Sequence, residues 1–354
     1  MKSKIDIVFL VIFFVFLFVP LSHIDKESIS KQENRTLAKF EPLFKNGKVN
    51  FNFPLQFSEW FNDRFFLRKQ FISIYSYKNK FNKKAVNKVI IGREGWLFLG
   101  WKSSIASYSN SIYFTKEELT QIDNFFREIN EFCKNNNKKF LIVIPPDKSK
   151  IYGEFYSDLI KQKNKYSRAQ QLVDYINSNS KVPIVYLQDV LLENKKDELL
   201  YYKHDSHWNQ LGGYIGYREI MRILNLKPYT VKKYTVVKGK DDLNNMLDDK
   251  LKIKENVFYK VPDTSDIKAG CRETKNKHDT FDMYCNNPKQ KLNLLMYQDS
   301  FILAMRPYFE HSFKVSDFRW NWDIKTSDFK DADIIIFEMV ERELGTLIKK
   351  INKE

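Results

Sequence analysis

Histidine and cysteine are scarce in this chain, and their scarcity excludes several kinds of site. The 354 residues include five histidines and three cysteines, and the spacings of these residues do not make a plausible zinc site. The chain also lacks an Arg-rich helix, a zinc finger and an RNP-like motif, so nothing organises its lysines for nucleic-acid recognition. We therefore expect no metal, no cofactor and no nucleic-acid partner.

The composition is nevertheless that of a globular protein. Apolar residues make up 43% of the chain and aromatic residues 16%, which is too apolar for a disordered protein. The formal charge of +15 comes from lysines scattered along the whole length. A compositional bias explains most of this charge, and attraction to an anionic surface or polymer explains the rest better than specific recognition of nucleic acid does.

One long apolar run, Ile7–Leu21, stands near the start, directly after the two lysines of "MKSK". No small-x-small cleavage site follows it. We therefore predict an uncleaved signal anchor over residues 1–25, with the lysines left in the cytoplasm and the body of the protein exported; a cleaved signal peptide is the alternative. Residues 26–50 are predicted to be a linker, and residues 51–354 the folded domain.

The cysteines agree with export. Cys271 and Cys285 lie in one loop-rich segment and are candidates for a disulfide in an oxidising compartment. Cys133 falls on the apolar face of a predicted helix, where we interpret it as a buried small hydrophobe.

Beyond residue 114 the chain alternates between helical and strand patterns. A capping box, Thr115 with Glu118, opens a helix, and "KKFLIVIPP" follows as a buried strand ended by two prolines. Strands that alternate with helices predict a doubly wound α/β fold with a mainly parallel sheet. The lysine- and aspartate-rich segment at about 228–290 is predicted to be an irregular insertion outside the sheet.

Two polar segments follow predicted strands and form candidate half-sites. One is "HDSHW", with Asp205 and His207; the other is "YQDSF", with Ser300. Because ligands bind at the carboxyl ends of strands in open parallel sheets, we expect the two segments to meet there. Ser300 needs a base to become a nucleophile, His207 is suited to that role, and Asp205 is placed to orient the imidazole. Asn209 stands where a helix N-cap is expected.

Each half-site is weak evidence alone, and other interpretations stay open. The D-x-H triplet is often a solvated turn, and the G-x-S-x-G elbow of the α/β-hydrolases is absent. A metal site formed by His204, Asp205 and His207 is a poorer interpretation, because it lacks a further compact pair of ligands. Lys148, after the double proline, is either a structural cap or a contact to a polymer.

Several other residues are secondary candidates. Glu338, Glu341 and Arg342, at the end of the last predicted strand, are interpreted as structural ion pairs. Residues with side chains suited to binding a sugar are candidates for the substrate site: Arg306, Arg319, Trp320, Asn321 and Trp208. Trp208 either lines the site or packs behind it.

The motifs together resemble those of a known family, the SGNH-hydrolase-like polysaccharide O-acetyltransferases related to the alginate acetylation proteins AlgJ and AlgX. The likeness runs from about Glu33 to the C-terminus. Its most specific part is a D-x-H-W signature followed much later by D-S-F, an order opposite to that of ordinary SGNH enzymes. The motifs that carry it are "ENRTLA", "FNDRFFLR", "GREGWLFLG", "IPPDKSKIY", "DSHWNQLGG", "DDLNNML", "YQDSF" and "DIIIFEMVERELG".

The resemblance implies a three-layer α/β/α fold and places Asp205, His207 and Ser300 on the family's catalytic triad. It implies a protein at the periplasmic face of the inner membrane, or a free periplasmic one. A polysaccharide would be its acceptor, and a membrane-bound O-acyltransferase would supply the acetyl groups. One departure is visible: Gln298 stands where the family usually has the glycine of "GDSF", which bears on the shape of the pocket and leaves the triad in place.

The expected function is therefore transfer of acetyl groups to polysaccharide hydroxyls through an acetyl-serine. A carbohydrate acetyl-esterase of the same fold is the first alternative, since the two differ only in whether sugar or water takes the acetyl group. An inactive glycan-binding scaffold is the second, and the complete set of Asp205, His207 and Ser300 argues against it. The predicted anchor favours the transferase, because it keeps the chain near a membrane-bound donor.

Overall fold

The structure is a computed structural model of the chain. It describes residues 13–14, 24, 29–30, 35–45, 47–65, 68, 85–86, 89–267, 270–275, 281–320, 322 and 324–352.

The described residues form sixteen strands and ten α-helices, joined by short 3₁₀ turns. The strands are β1 (Ile29–Ser30), β2 (Arg35–Thr36), β3 (Phe44–Lys45), β4 (Lys48–Val49), β5 (Ala85–Val86), β6 (Val89–Ile91), β7 (Leu97–Leu99), β8 (Lys139–Ile144), β9 (Ile184–Tyr186), β10 (Tyr234–Lys238), β11 (Phe258–Pro262), β12 (Gly270–Lys275), β13 (Phe281–Asn286), β14 (Asn293–Tyr297), β15 (Val315–Arg319) and β16 (Ile334–Glu338). The helices are α1 (Phe53–Arg64), α2 (Lys102–Ser109), α3 (Lys116–Asn135), α4 (Lys148–Ile151), α5 (Arg168–Ser178), α6 (Gln188–Asn194), α7 (Gln210–Ile223), α8 (Asp242–Asn245), α9 (Arg306–Ser312) and α10 (Leu347–Asn352). The 3₁₀ turns are Arg93–Gly95, Gly153–Phe155, Ser300–Ala304, Thr326–Phe329 and Glu341–Thr346.

A seven-stranded sheet in the order β12-β13-β15-β14-β16-β8-β9 organises the fold. The five strands from β15 to β9 pair in parallel, and β12 and β13 add an antiparallel hairpin at one edge. The sheet is thus mixed, with a parallel centre. This confirms the α/β prediction, because the apolar runs at β8, β14 and β16 are buried strands as parallel pairing requires.

Helices cover both faces of this sheet, so the domain has three layers. Alternate residues of β8 point to opposite faces: Phe140 and Ile142 join a core with helices α3 and α5, whereas Leu141 and Val143 join a core with α7 and α9. The predicted capping box at Thr115 is present at the start of α3 and fixes where that helix begins.

The segment 228–290 is only partly the insertion that was predicted. Strands β10 and β11 form a hairpin apart from the main sheet, as expected, but β12 and β13 extend the sheet itself. The prediction is wrong for these two strands because β12 is exposed along its whole length, as an edge strand can be, and β13 buries only Met283 and Cys285. A disulfide joins Cys271 to Cys285 directly across the hairpin.

The predicted anchor lies almost entirely outside the described residues. Within the described part of the chain, no helix is both long enough and apolar enough to cross a bilayer.

Candidate active site

Asp205 and His207 lie in a tight turn, residues 201–208, that leads into helix α7 and that we call the histidine turn. The turn is closed by an antiparallel bridge between Tyr201 and Trp208, and the Tyr202 N–H donates to the His207 carbonyl at 3.2 Å. Asn209 ends the turn as the predicted N-cap: its Oδ1 accepts from the N–H groups of the first turn of α7 at 2.9 and 3.0 Å. A capped helix start holds the histidine turn in one conformation.

Ser300 lies at the carboxyl end of β14, where ligands bind in open parallel sheets. It is the first residue of a 3₁₀ turn, Ser300–Ala304, and α9 begins only at Arg306. A 3₁₀ turn therefore separates Ser300 from the helix that follows. The Asp299 side chain sets this turn, because its Oδ1 accepts from the Phe301 N–H at 2.8 Å.

The structure brings the three candidate residues into one line of contacts. Ser300 Oγ lies 2.7 Å from His207 Nε2, and His207 Nδ1 lies 2.8 Å from Asp205 Oδ1. The same Asp205 oxygen accepts from the His207 backbone N–H at 2.9 Å. These contacts join residues 93 positions apart in the chain, and their order is that of nucleophile, base and orienting carboxylate.

Burial increases along this line from the serine to the acid. Ser300 is half-buried, the His207 side chain is 26% exposed, and the Asp205 side chain is almost fully buried. Burial raises the pKa of Asp205, but the hydrogen bonds and charge of His207 outweigh it, and the pKa ends below its ordinary value. Asp205 is therefore a carboxylate at neutral pH, and it holds the Nδ1 proton while Nε2 faces Ser300.

A second carboxylate, Asp242, lies beside the same imidazole. Its Oδ2 is 3.6 Å from His207 Nδ1 and accepts from the Ser206 hydroxyl at 2.6 Å, while its Oδ1 accepts from the Ser206 N–H at 2.7 Å. Burial and the nearby charge of Asp205 raise the pKa of Asp242. Sequence reasoning missed this residue, although "DDLNNML" was among the motifs of the family resemblance.

Asp205, His207 and Asp242 are also the residues here that could hold a cation. Their ligand atoms all lie within 4.8 Å of one another. A metal on Nδ1 would displace Asp205 from that nitrogen. The neutral imidazole would then carry its proton on Nε2, which could not take the proton of Ser300 Oγ, 2.7 Å away. The contacts suit proton transfer from Ser300 to His207 Nε2, with Asp205 on Nδ1.

Trp208 packs behind the site and does not line it. It is 1% exposed, and its Nε1–H donates to the Phe301 carbonyl at 2.8 Å. This corrects the interpretation of Trp208 as a substrate-binding residue. The indole instead ties the histidine turn to the serine turn, a role that adjacency to His207 in the sequence does not reveal.

Gly213 allows α7 to approach the serine turn closely. A Cβ at this position would lie 2.7 Å from the backbone and Cβ of Ala304. We expect Gly213→Ala to push the 300–304 turn away from α7 and to lower the free energy of unfolding by about 1–3 kcal/mol, as urea denaturation can measure. Gly153→Ala is the control, since a Cβ there has ordinary contact with Tyr108 at 3.6 Å. Equal stability of the two variants would contradict this account of the contact.

Two buried carboxyl groups lie under the serine turn. Glu338 Oε2 accepts from the Asp299 N–H at 2.8 Å, and Asp299 Oδ2 accepts from the Val340 N–H at 2.8 Å. Burial, and then the charge of Asp299, raise the pKa of Glu338 well above its usual range. Arg342 faces Phe301 and pairs with Asp147 at 2.7 Å, and Glu341 pairs with Lys150 at 3.5 Å. These two contacts agree with the predicted ion pairs, whereas Glu338 accepts from a backbone N–H instead.

Glu338→Gln should therefore stabilise the protein increasingly as the pH rises. The folded pKa of Glu338 lies above its unfolded value, so the wild type loses stability as the pH rises through the folded pKa. Glutamine keeps the acceptor for Asp299 and has no proton to lose. In urea denaturation we expect equal stability near pH 5 and a growing difference toward pH 8.5, by at most about 1.4 kcal/mol per pH unit. Exposed Glu128→Gln is the control, and a difference independent of pH would contradict the assignment.

The remaining sugar-binding candidates are placed differently. Arg319 and Trp320 end β15, beside the end of β14, with Arg319 bound to Asp317 and Asp328 at 3.1 and 2.6 Å. Arg306 pairs with Glu310 on its own helix at 3.1 Å. Asn321 lies outside the described residues.

Residues 89–258 match the family described as the SGNH hydrolase-like domain of the acetyltransferase AlgX. The match includes Asp205 and His207 and ends before Ser300. No curated protein sequence matches the chain.

Several solved structures are similar to this chain. PatB1 of Bacillus cereus, solved with a sulfonyl adduct, is 17% identical, with a TM-score of 0.53 over 74% of this chain and 99% of PatB1. A DHHW family protein of Eubacterium siraeum is 14% identical, with a TM-score of 0.51 over 75% of this chain and 94% of its own. The O-acetyltransferase domain of Pseudomonas putida AlgJ is 13% identical, with a TM-score of 0.45 over 75% and 99%.

The family match and the order of the motifs agree over the histidine turn, and the two likenesses with TM-scores above 0.5 agree with the three-layer fold. The chain is therefore AlgX-like over residues 89–258, the part that matches the SGNH hydrolase-like domain of the acetyltransferase AlgX.

Proposed function

We propose that this protein is an exported, serine-dependent O-acetyltransferase that moves acetyl groups onto hydroxyls of a bacterial polysaccharide. The observation that carries the proposal is the line of contacts from Ser300 Oγ to His207 Nε2 and from His207 Nδ1 to Asp205. The description of the matching family as an acetyltransferase supports the acyl group and the type of reaction.

In the first step Ser300 attacks the carbonyl carbon of an acetyl ester. His207 Nε2 takes the proton from Ser300 Oγ, and Oγ forms a bond to the acetyl carbon. The bond between that carbon and the donor's leaving oxygen then breaks, and His207 returns the proton to this oxygen. The product is an acetyl-serine, with Asp205 stabilising the imidazolium that forms in passing.

In the second step a sugar hydroxyl takes the place of the leaving group. His207 Nε2 accepts the hydroxyl proton, the sugar oxygen bonds to the acetyl carbon, and the bond to Ser300 Oγ breaks. The proton passes back to Ser300. Water would give hydrolysis by the same route, so the balance between transferase and esterase depends on how well sugar is bound and water excluded.

Backbone N–H groups at a turn beside the nucleophile are suited to stabilise the developing oxyanion. The Phe301 N–H already donates to Asp299 Oδ1 at 2.8 Å, which removes it from that role. We assign the role to the N–H of Ser300 itself, at the first position of the turn.

The acceptor is proposed to lie along the edge of the sheet at the end of β15. Arg319 is the last residue of β15 and Trp320 follows it, beside the end of β14, which leads to Ser300. An aromatic ring with a neighbouring polar group is suited to binding the face of a sugar. The acetyl donor is proposed to be a membrane-bound O-acyltransferase, reached from an N-terminal anchor at the periplasmic face of the inner membrane.

The test is to incubate the purified full-length protein with p-nitrophenyl acetate, with and without oligosaccharides of bacterial polymers. The proposal expects acetylated oligosaccharide by mass spectrometry and none with Ser300→Ala. Release of acetate with no acetylated sugar for any acceptor would favour the esterase, and the absence of any Ser300-dependent turnover would overturn both.

A further inference from the structure

Lys148 is a buried cation behind the histidine turn. It begins α4, directly after β8 and its two prolines, and is 3% exposed. The ammonium group lies 5.7 Å from the centre of the Trp96 ring and 5.0 Å from that of Phe98. This burial rules out the interpretation of Lys148 as a polymer contact.

The ammonium group of Lys148 binds the backbone of the histidine turn at three points. It donates to the carbonyl oxygens of Asp205 at 2.6 Å, Tyr202 at 3.0 Å and Lys203 at 3.2 Å. An ammonium has three donors, and all three are used on a span of four residues. These three hydrogen bonds fix the turn from Tyr202 to Asp205, the acid that orients His207.

The same ammonium group compensates the negative charge of the site. Two carboxylates, Asp205 and Asp242, lie near one imidazole, and both attract Lys148. Burial lowers the pKa of Lys148 to about 7, although the charges of Asp242 and then Asp205 act to raise it. A buried charge is costly unless it is paired and hydrogen-bonded, and here it has both kinds of partner.

We propose that Lys148 is a positioning residue of the acyl-transfer site, which holds residues 202–205 so that Asp205 stays behind His207. The inference rests on the proposed function, since it assigns Lys148 to the same reaction. Lys148 touches neither substrate nor Ser300; it acts through Asp205. Its loss should therefore reduce kcat, leave KM nearly unchanged and alter the titration of the site.

The experiment compares full-length wild type, Lys148→Met and Lys148→Gln in hydrolysis of p-nitrophenyl acetate from pH 5 to 9. Active sites are counted by titration with a sulfonyl fluoride, so that a lower yield of folded protein is separated from slower chemistry. Lys138→Met is the matched control: Lys138 also binds two backbone carbonyl oxygens, at 2.7 and 3.1 Å, but at the opposite end of β8.

We expect Lys148→Met to lower kcat per titrated site about 10²-fold, as small misplacements of reacting groups do. Glutamine keeps N–H donors without the charge, so its loss should be smaller. In both variants the acid limb of the pH profile should move to higher pH, because the Lys148 cation lowers the pKa of Asp205 and its removal favours protonation of the site.

The outcomes separate this inference from the proposed function. Wild-type kcat per titrated site and an unmoved acid limb in Lys148→Gln would overturn the role of Lys148, even if Lys148→Met does not fold. A loss that merely follows the number of titrated sites would show a structural role and overturn it too. Failure of the proposed function looks different, since Ser300→Ala would then hydrolyse the ester like the wild type.

Discussion

Ser300→Ala and His207→Ala should each lower kcat for p-nitrophenyl acetate by about 10⁴–10⁶-fold, with the fold intact. Ser300 Oγ and His207 Nε2 are 2.7 Å apart, and each group depends on the other. Without His207 the serine hydroxyl stays protonated, and without Ser300 the histidine has no nucleophile to activate. Both side chains are partly exposed and neither supports a core, so their removal should change stability little.

The effects of Ser300→Ala and His207→Ala on kcat should not be additive. Because the serine and histidine act as one unit, the double variant should be no slower than either single variant. Exposed Ser178→Ala on α5 and half-buried His311→Ala on α9 are matched controls that should keep full activity. The measurements are initial rates and thermal denaturation of the wild type and all five variants, and normal turnover in Ser300→Ala or His207→Ala would contradict the assignment.

Asp205→Asn should lower kcat by about 10³–10⁴-fold. Asparagine fits the same space, but when its NH₂ group takes the place of Oδ1 it donates to Nδ1 and no longer accepts from the His207 N–H. The proton of the neutral imidazole then moves to Nε2, which can no longer take the proton of Ser300. Asp205 also loses its charge, so the imidazolium formed during the reaction has less stabilisation.

Nitrogen NMR of labelled histidine tests this explanation directly. The neutral imidazole of His207 should carry its proton on Nδ1 in the wild type and on Nε2 in the Asp205→Asn variant. Asp241→Asn is the control, since Asp241 lies one position from Asp242 in the same region but contacts His204 Nδ1 at 3.3 Å. Less than a tenfold loss of kcat in Asp205→Asn would contradict the orienting role.

The central sheet could be predicted because each of its buried strands is marked by the residues of that strand alone. The strands β8, β14 and β16 are continuous apolar runs, and a buried parallel strand requires little else. The strand ends then follow from topology, so Asp205, His207 and Ser300 could be expected to meet at one edge. Their assignment to catalysis stays a prediction until the variants are measured.

What the sequence could not reveal depends on contacts between distant residues. Lys148 and Asp242 became part of the site only through hydrogen bonds to a turn that lies far from them in the chain. The position of Trp208, next to His207, could not decide between lining and packing, because burial is a property of the folded chain. Strand β12 is exposed and β13 buries only Met283 and Cys285, so only the pairing with β15 makes this hairpin part of the sheet.

The central claim is that Ser300 carries the acetyl group during transfer. The most direct measurement is mass spectrometry of peptides from protein quenched within the first turnovers with p-nitrophenyl acetate. The account predicts one acetyl group on the peptide that contains Ser300, lost when an acceptor oligosaccharide is added and never formed in His207→Ala. Steady turnover with no acetyl group on Ser300, or with the acetyl group on another residue, would contradict it.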